Sequence, residues 1–488
     1  MFIVMITPEC APAAKVGGLG DVVHGLSKEL DLRGNAVEII LPKYDCMRYD
    51  RIFSLTKTYS DLWVPFHQQW IHCDVYFGFA DGLKCFFIDP HSGHNFFNRR
   101  VIYGERDEER FAFFCRAALE FMLKANKHPE VIHCHDWQTA LAPVLLYEMY
   151  QHLGMNHPRS CFTLHNLGHQ GRQGEQILRQ VGLNPENLMR PDRLLDDHHP
   201  GCVNLMKGGV VYSNFVTTVS PTYAWEIRHT ALGMGLQGVL GAHHQKFGGV
   251  LNGIDYNVWN PEMDNHIARR YSPATLQDKY VNKQALRERV WLRHEFKPLV
   301  AFVGRLDYQK GVHLVFDAVP YCLNHGCQFV LLGSGPHRHI NEAFWRLKQQ
   351  FNDHPDCHIE VGYNEELAHL IYAGSDLLLV PSEYEPCGLT QLIALKYGTV
   401  PVVRKTGGLA DTVFDADYAH KPYHERNGYV FNDYSWPGLE SALHRAIGLW
   451  YNYPQYFREL MLNGMRYDFS WNHPGQHYLN IYHYIKAP

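Results

Sequence analysis

Short hydrophobic runs alternate along this chain with segments in which hydrophobic residues recur every three or four positions. One helical stripe, for example, is formed by Leu19, Val22, Val23, Leu26 and Leu30. Strand-like runs in the first half occupy residues 2–6, 37–41, 85–88, 131–135, 161–164 and 215–219. Alternation of strands with helices predicts a parallel sheet that is covered by helices on both faces.

The same alternation starts again in the second half. Its strand-like runs occupy residues 299–303, 329–332, 358–361, 377–380 and 400–403. Between the halves, residues 250–264 contain Asn-Gly and Asn-Pro, which are typical of a loop or hinge. We therefore predict an α/β protein with two doubly wound Rossmann-like domains that face a central cleft. The predicted segments are residues 1–252, residues 253–466 and a C-terminal helix, residues 467–488, that returns to the first domain.

Composition narrows the possible function classes. The chain has 488 residues, of which 46% are hydrophobic and 19% charged, as in an ordinary globular protein. A formal net charge of −5 argues against a nucleic-acid partner. No hydrophobic run has the length of a membrane span, so no membrane partner is expected. The 12 cysteines are scattered without a CxxC pair, which favours a reducing compartment. We expect a cytoplasmic protein, or a plastid-stromal one if a transit peptide has been removed.

Residues 382–404, SEYEPCGLTQLIALKYGTVPVVR, predict a strand end, a loop, a helix that begins at Pro386 and a second strand. Glu385 lies at the mouth of that helix, where it could accept hydrogen bonds from sugar hydroxyls. The backbone N–H groups that follow it could bind a diphosphate. They belong to Cys387, Gly388, Leu389 and Thr390. An ordinary capped helix is the alternative interpretation.

A glycine-rich segment occurs once in each half. Residues 15–23, KVGGLGDVV, and residues 405–413, KTGGLADTV, each follow a strand and precede a helix. In the first copy, Lys15 and the pair Gly17 and Gly18 would let backbone amides approach a ligand closely. We expect both loops to face the cleft. Val23 stands where the dinucleotide fingerprint needs its third glycine, which disfavours an NAD-dependent oxidoreductase.

Further polar residues follow predicted strands. Arg305 and Lys310 are suited to a diphosphate, although surface ion pairs are the alternative. Asp136 in HCHDWQ and His165 in TLHNLGHQG could contact hydroxyls. The spacing of His133, His135 and Asp136 does not match a known metal motif, so no metal is expected. Tyr363 could stack on a base, although a packing role is the alternative.

Taken together, the motifs resemble those of bacterial glycogen synthases and plant starch synthases. The resemblance spans nearly the whole chain and is greatest for the soluble starch synthases of classes three and four. The motifs, in order, are KVGGLGDV, HCHDWQTA, TLHNLGHQG, SPTYAWEI, LNGID, VGRLDYQKG, LLGSGP, EPCGLTQLIALKYG and RKTGGLADTV.

This resemblance implies a two-domain GT-B glucosyltransferase. It would transfer glucose from ADP-glucose to the non-reducing end of an α-1,4-glucan, with retention of the α configuration and without a cofactor. A weakly active glucan-binding or priming protein on the same fold is the alternative. A glucan phosphorylase would need a pyridoxal-binding lysine that no motif supplies.

The resemblance also implies residue roles. The catalytic set would be Lys15, Asp136, His165, Arg305, Lys310 and Glu385. The substrate-binding set would be Gly17, Gly18, Asp21, Asn252, Ser334, Tyr363, Cys387, Gly388, Leu389 and Thr390. Three positions depart from patterns common in related enzymes, namely Ile393, Trp225 and Gln173, and the last two could alter the acceptor groove.

Overall fold

The computed structural model describes residues 1–351 and 353–487. It divides into two compact units, Met1–Gly253 together with Trp471–Pro488, and Ile254–Ser470. We call them unit 1 and unit 2. Within the described ranges, no helix is both long and apolar enough to cross a membrane.

Unit 1 is built on a nine-stranded sheet in the order β11-β10-β7-β6-β1-β2-β5-β4-β3. Its pairings are parallel except for β3 with β4 and β4 with β5. A separate pair, β8 and β9, is antiparallel. The strands are β1 Phe2–Ile6, β2 Ala36–Pro42, β3 Ile52–Phe66, β4 Gln69–Ala80, β5 Leu83–Pro90, β6 Val131–His135, β7 Arg159–Leu164, β8 Arg172–Gly174, β9 Cys202–Asn204, β10 Phe215–Thr218 and β11 Phe247–Gly249.

The long strands β3 and β4 were not predicted from the sequence. Their hydrophobic alternation is broken, because large side chains such as Phe53, Trp63 and Trp70 remain exposed. Register shifts along the pair also interrupt the two-residue period.

Helices of unit 1 cover its sheet. In α1, the predicted stripe is observed, since Val22, Val23, Leu26 and Leu30 are buried. The helices are α1 Gly18–Leu32, α2 Asp107–Lys124, α3 Leu141–Glu148, α4 Gln176–Gln180, α5 Pro185–Leu188, α6 Leu205–Tyr212, α7 Pro221–His229 and α8 Gln237–Ala242.

Unit 2 contains a six-stranded, all-parallel sheet in the order β14-β13-β12-β15-β16-β17. The strands are β12 Leu299–Val303, β13 Gln328–Gly333, β14 Cys357–Val361, β15 Leu377–Val380, β16 Val400–Arg404 and β17 Tyr429–Phe431. Its helices are α9 Lys279–Arg289, α10 Val312–Asn324, α11 Arg338–Gln350, α12 Glu365–Gly374, α13 Thr390–Lys396, α14 Gly407–Thr412, α15 Trp436–Asn452 and α16 Pro454–Arg466.

Both faces of this second sheet are buried. Along β12, Val300 and Phe302 pack into one hydrophobic cluster, whereas Leu299 and Ala301 pack into the other. Burial on both faces explains why these strands are continuous hydrophobic runs instead of alternating patterns.

The last helix, α17 Asn472–Lys486, packs on α1 of unit 1. Arg33 Nη2 donates a hydrogen bond to the Asn472 backbone oxygen at 2.7 Å. Just before α17, Trp471 is buried with its indole directly over Gly25 of α1, where a Cβ would lie 1.9 Å from Nε1. The close contact of the two helices thus requires a residue without a side chain at position 25.

We predict that Gly25→Ala destabilises unit 1 by about 1–3 kcal/mol, because the added methyl group must displace the buried indole. Gly241→Ala in α8 is the matched control, since a Cβ there has no atom within 4 Å. Thermal unfolding followed by tryptophan fluorescence should show a lower midpoint for the first variant alone. Equal midpoints for the two variants would contradict this account of the contact.

Candidate active site

Parallel pairing brings the candidate residues of unit 1 to one edge of its sheet. Strand β1 pairs with β6, and β6 pairs with β7, each in parallel. Because parallel strands end at the same edge, the loops after these three neighbours lie side by side. These loops carry Lys15, Asp136 and His165. Asn252 follows β11, and its buried Oδ1 has no hydrogen-bond partner among the described residues.

The glycine loop before α1 is shaped by a buried carboxylate, Glu9. Its Oε2 accepts hydrogen bonds from the backbone N–H groups of Val16 at 2.6 Å and Gly17 at 3.1 Å. Tyr103 donates its hydroxyl hydrogen to the other oxygen. Burial raises the pKa of Glu9 above its ordinary value. Glu9 was missed from the sequence because it belongs to no recognised spacing.

Polar groups on this loop lie next to open space. A Cβ built on Gly17 would have no atom within 4 Å. Lys15 Nζ forms an ion pair with Asp21 Oδ1 at 2.8 Å, and both side chains are more than a third exposed. Gly18 is exposed at the first position of α1. The structure therefore brings Lys15, Gly17, Gly18 and Asp21 together, as the motif predicted.

Asp136, directly after β6, has an unusual backbone conformation. Its φ is 61° and its ψ is 178°, a region occupied almost entirely by glycine that costs about 1–3 kcal/mol. Its Oδ1 accepts hydrogen bonds from the backbone N–H groups of His165 at 3.1 Å and Asn166 at 3.4 Å. Burial raises the pKa of Asp136 to about 7, although these two donors act in the opposite direction. Strain combined with a buried carboxyl group is typical of a functional position.

Three histidines lie beside Asp136, and each makes at least one ring-nitrogen hydrogen bond to a protein group. His133 contacts Tyr482 through Nδ1 at 2.7 Å and Thr163 through Nε2 at 2.6 Å. His135 Nδ1 lies 3.1 Å from His165 Nε2. Burial lowers the pKa of His133 and of His165 to about 3, so both rings are neutral. The rings hydrogen-bond with neighbours and with one another instead of converging on one metal position.

In unit 2, the candidate residues follow four consecutive strands of the sheet. Tyr363, Ser334, Arg305 and Glu385 come after β14, β13, β12 and β15, respectively. All four therefore lie at the edge formed by the carboxyl ends of the strands. Tyr363 is 79% exposed, and its hydroxyl donates a hydrogen bond to Glu365 Oε2 at 3.2 Å. Ser334 is exposed, and its backbone oxygen accepts a hydrogen bond from Leu306 at 2.9 Å.

Glu385 is 5% exposed and is held from two directions. Lys310 Nζ lies 2.5 Å from Glu385 Oε2, and Ser382 Oγ donates to the same oxygen at 2.9 Å. Gly311, at a φ of +70°, keeps the Lys310 turn close, because a Cβ there would lie 2.1 Å from the Pro381 oxygen. The sequence predicted both charges at this site but not their pairing.

Arg305 is the more exposed cation of this edge. Its side chain is 54% exposed and forms an ion pair with Asp307 Oδ2 at 3.1 Å. Because exposed ion pairs contribute little to stability, Arg305 can exchange this partner for an anionic ligand at low cost.

The helix predicted to begin at Pro386 begins instead at Thr390. The intervening residues form a loop, since Gly388 has a φ of +76°, which is incompatible with a right-handed helix. The prediction of the helix start is therefore wrong, because proline is also favoured in turns.

Buried Gln391 orients this loop and was missed from the sequence. Its Nε2 donates hydrogen bonds to the backbone oxygens of Cys387 at 3.0 Å and Gly388 at 2.8 Å. With those oxygens turned inward, the backbone N–H groups of Gly388, Leu389 and Thr390 have no acceptor among residues 1–351 and 353–487. These three groups belong to the four donors that the sequence predicted, and only Thr390 lies in the first turn of the helix. That they bind an anion stays a prediction.

The glycines of the second glycine-rich loop lie against backbone atoms of the loop that carries Glu385. A Cβ on Gly407 would lie 1.9 Å from the Glu385 oxygen, and one on Gly408 would lie 2.1 Å from the Cys387 oxygen. The Gly408 N–H also donates to the Glu385 oxygen at 3.1 Å. The prediction that this loop faces the cleft stays a prediction, because these contacts concern only its two glycines. Its glycines serve close packing against the loop that carries Glu385.

Two doubly wound α/β units with ligand-type residues at their strand ends define the class of GT-B glycosyltransferases. The sucrose-phosphate synthase structure from Thermosynechococcus elongatus agrees in fold, with a TM-score of 0.64 at 19% identity over 99% of this chain and 98% of that chain. The profile described as "Starch synthase catalytic domain" matches residues 2–242, and "Glycosyl transferases group 1" matches residues 284–459.

Individual relatives define the family. "Glycogen synthase 1" of Nitrosococcus oceani is 69% identical, and the match covers 100% of both chains. "Glycogen synthase 2" of Methylococcus capsulatus is 64% identical over 99% of each. The catalytic domain of starch synthase IV from Arabidopsis thaliana, bound to ADP and acarbose, has a TM-score of 0.97 at 43% identity, over 100% of this chain and 99% of that chain.

The chain belongs to the glycogen synthase and starch synthase family. The resemblance, fold class and enzyme class predicted from the sequence are thereby confirmed: this is a glucosyltransferase of the starch/glycogen synthase type. The alternative of a weakly active glucan-binding protein is not favoured.

We predict that Asp136→Asn stabilises the protein increasingly as pH rises. Between its ordinary pKa of 3.8 and about 7, the carboxyl group ionises in the unfolded chain but keeps its proton in the folded one, so rising pH costs stability. The full cost is about 4 kcal/mol above pH 7. Asparagine keeps an acceptor for both N–H groups but does not ionise. Thermal midpoints of variant and wild type should therefore diverge between about pH 4 and about pH 8.

Asp196→Asn is the control, because its effect on stability should change with pH in the opposite direction. Although burial acts to raise the pKa of Asp196, hydrogen bonds from Arg172 and His199 hold it well below its ordinary value. This variant should lose stability above pH 4 and regain it toward acid. Parallel wild-type and Asp136→Asn curves would contradict the buried-carboxyl account.

Proposed function

We propose that this chain transfers glucose from ADP-glucose to the non-reducing end of an α-1,4-glucan with retention of configuration. The observation that carries the proposal is the arrangement of Lys310, Ser382 and Glu385 beside backbone N–H groups that have no acceptor in the described part of the chain. ADP in the related starch synthase IV structure supports the nucleotide, and acarbose there supports a glucan-like acceptor.

The ADP leaving group gains negative charge as the glycosidic bond breaks. In this proposal, Arg305, Lys310 and the N–H groups of Leu389 and Thr390 stabilise that charge in the transition state. Each charge-assisted hydrogen bond contributes about 1.5–3 kcal/mol, which corresponds to roughly tenfold to a hundredfold in rate. Ser334 and Tyr363 lie at the same sheet edge and would contact the nucleotide, Tyr363 by stacking.

Glu385 would bind glucose hydroxyls together with the N–H groups of Cys387 and Gly388. Lys310 and Ser382 both contact Oε2, which leaves Oε1 to accept from a sugar. A carboxylate fixed in this way orients glucose but is poorly placed to move toward carbon as a nucleophile. Glu385 therefore acts as a hydroxyl acceptor.

Residues of unit 1 would also contact substrate in this proposal. Lys15, Gly17 and Gly18 would meet the diphosphate and the glucose through charge and backbone approach. Asp136 and His165 would line the glucose pocket. The remaining substrate contacts would come from Asp21 and Asn252.

The chemical step then balances without an enzyme nucleophile. The bond between the anomeric carbon and the ADP oxygen breaks, and a bond from the acceptor hydroxyl oxygen forms on the same face. The hydroxyl proton passes to the departing phosphate oxygen. No divalent metal is needed in this scheme, because Arg305 and Lys310 supply the compensating positive charge.

We also propose a cytoplasmic location. All 12 cysteines are free, as expected in a reducing compartment. The high-identity relatives are bacterial, and nothing supports the plastid alternative.

Glucosyl transfer should be demonstrable directly. Purified protein incubated with a maltooligosaccharide and ADP-glucose should lengthen the oligosaccharide by single glucose residues, and UDP-glucose should be a poorer donor. Activity should persist in EDTA, since fixed cations replace a metal. Loss of activity in EDTA with recovery on adding magnesium or manganese would refute metal independence. Absence of lengthening with either donor would refute the proposed reaction.

Glu385→Ala should lower turnover by at least about a hundredfold, because the sugar loses its fixed acceptor and Lys310 its partner. Glu383→Gln, an exposed neighbour two residues away, is the control and should remain active. Azide should not rescue the alanine variant. Isolation of a β-glucosyl azide would show instead that Glu385 attacks the anomeric carbon.

A further inference from the structure

His135 is a fully buried residue that the proposed chemistry does not use. It ends β6, one position before Asp136, and its side chain is 0% exposed. Its ring lies against that of His133, with a centroid distance of 4.1 Å. Only one of its two nitrogens has a hydrogen-bond partner, because Nδ1 contacts His165 Nε2 at 3.1 Å whereas Nε2 has no partner among the described residues.

This pattern decides where the hydrogen atoms lie. Neutral imidazole has one N–H donor and one acceptor nitrogen, so a bond between two such rings needs one donor and one acceptor. A hydrogen on His135 Nε2 would be a buried donor without an acceptor, which is rare in folded proteins. The hydrogen of His135 therefore lies on Nδ1 and is donated to His165 Nε2.

The position of the His135 hydrogen determines the tautomer of His165. Its Nε2 accepts the bond, so its own hydrogen must lie on Nδ1. His165 is the partly exposed member of the pair, and its Nδ1 has no partner among the described residues. We propose that His135 is a positioning residue that fixes His165 in the Nδ1–H tautomer, so that His165 offers a hydrogen-bond donor to a sugar hydroxyl.

No other described group competes for this role. His133, the nearest ring, is engaged with Tyr482 and Thr163 and makes no hydrogen bond to His165. Asp136 contacts the backbone N–H of His165 and not its ring. Protonation of His165 at Nε2 would place two hydrogens between the two ring nitrogens, and burial opposes it because burial lowers the pKa of His165 to about 3. The role of His165 as a sugar contact rests on the proposed function, whereas its tautomer does not.

Two variants of His135 with side chains of similar size distinguish the effect of its hydrogen-bond donor from the effect of its packing. In His135→Asn, the amide nitrogen can occupy the position of imidazole Nδ1 and donate to His165. His135→Leu fills similar space without a donor. His133→Leu is the matched control, since it removes an equally buried neighbouring imidazole whose hydrogen bonds lead away from His165.

The direct measurement is the pair of ring ¹⁵N chemical shifts of His165 in deuterated protein with labelled histidine, assigned by their loss in His165→Asn. Wild type, His135→Asn and His133→Leu should show a protonated Nδ1 and an unprotonated Nε2. His135→Leu should show a shift toward the Nε2–H tautomer. A hydrogen on Nε2 in the wild type would overturn the inference, as would an unchanged tautomer in His135→Leu. If the leucine variant does not fold, the wild-type and asparagine spectra still decide.

Kinetics test the link to catalysis. Loss of one correctly oriented donor should lower kcat of His135→Leu by about tenfold or more, with asparagine restoring most of it and His133→Leu little affected. Equal kcat in the asparagine and leucine variants would overturn the positioning role. The predicted tautomer in a wild-type protein that transfers no glucose would refute the proposed function but not the assignment of the hydrogen.

Discussion

Parallel strand pairing is the constraint on which the rest of this structure depends. Because parallel strands cannot be joined by tight turns, each needs a crossover, and every loop after a strand emerges at one edge. In unit 2, this constraint alone lines up the loops that carry Arg305 and Glu385, although 80 positions separate them in sequence. The same constraint in unit 1 places Asp136 next to His165. The candidate residues of each unit thus come from different loops that begin at neighbouring strand ends.

Buried polar side chains give those loops their exact shape. Glu9 gathers the N–H groups of the glycine loop, whereas Gln391 turns two backbone oxygens inward and leaves N–H groups facing outward. Asp136 joins two strand ends through the N–H of His165. Removing such a partner would leave a buried group unsatisfied, which costs about 1–3 kcal/mol. These residues therefore act on ligands through the backbone they hold.

The candidate residues of the two units differ in their electrostatic surroundings. Around Asp136 and the histidines of unit 1, burial favours neutral forms, which suits the recognition of uncharged hydroxyls. In unit 2, Lys310 and Glu385 keep opposite charges in direct contact, and exposed Arg305 remains open to an anion.

The sequence by itself determined the α/β class, most of the parallel strands and the family, because buried strands, helical stripes and ordered motifs are local signals. It also predicted Lys15, Asp136, Arg305 and Glu385 as candidate site residues, since each follows a predicted strand.

Only the tertiary structure decided the rest. The antiparallel strands β3 and β4 were not predicted, since their exposed rings obscure the alternation. The roles of Glu9, His135 and Gln391 depend on which backbone or ring lies against them, and that is set by residues distant in sequence. Gly407 resembles Gly17 in its motif, yet one packs on a backbone oxygen and the other lies beside open space. A local sequence pattern therefore predicts that a loop forms, but the atoms that the loop contacts depend on tertiary packing.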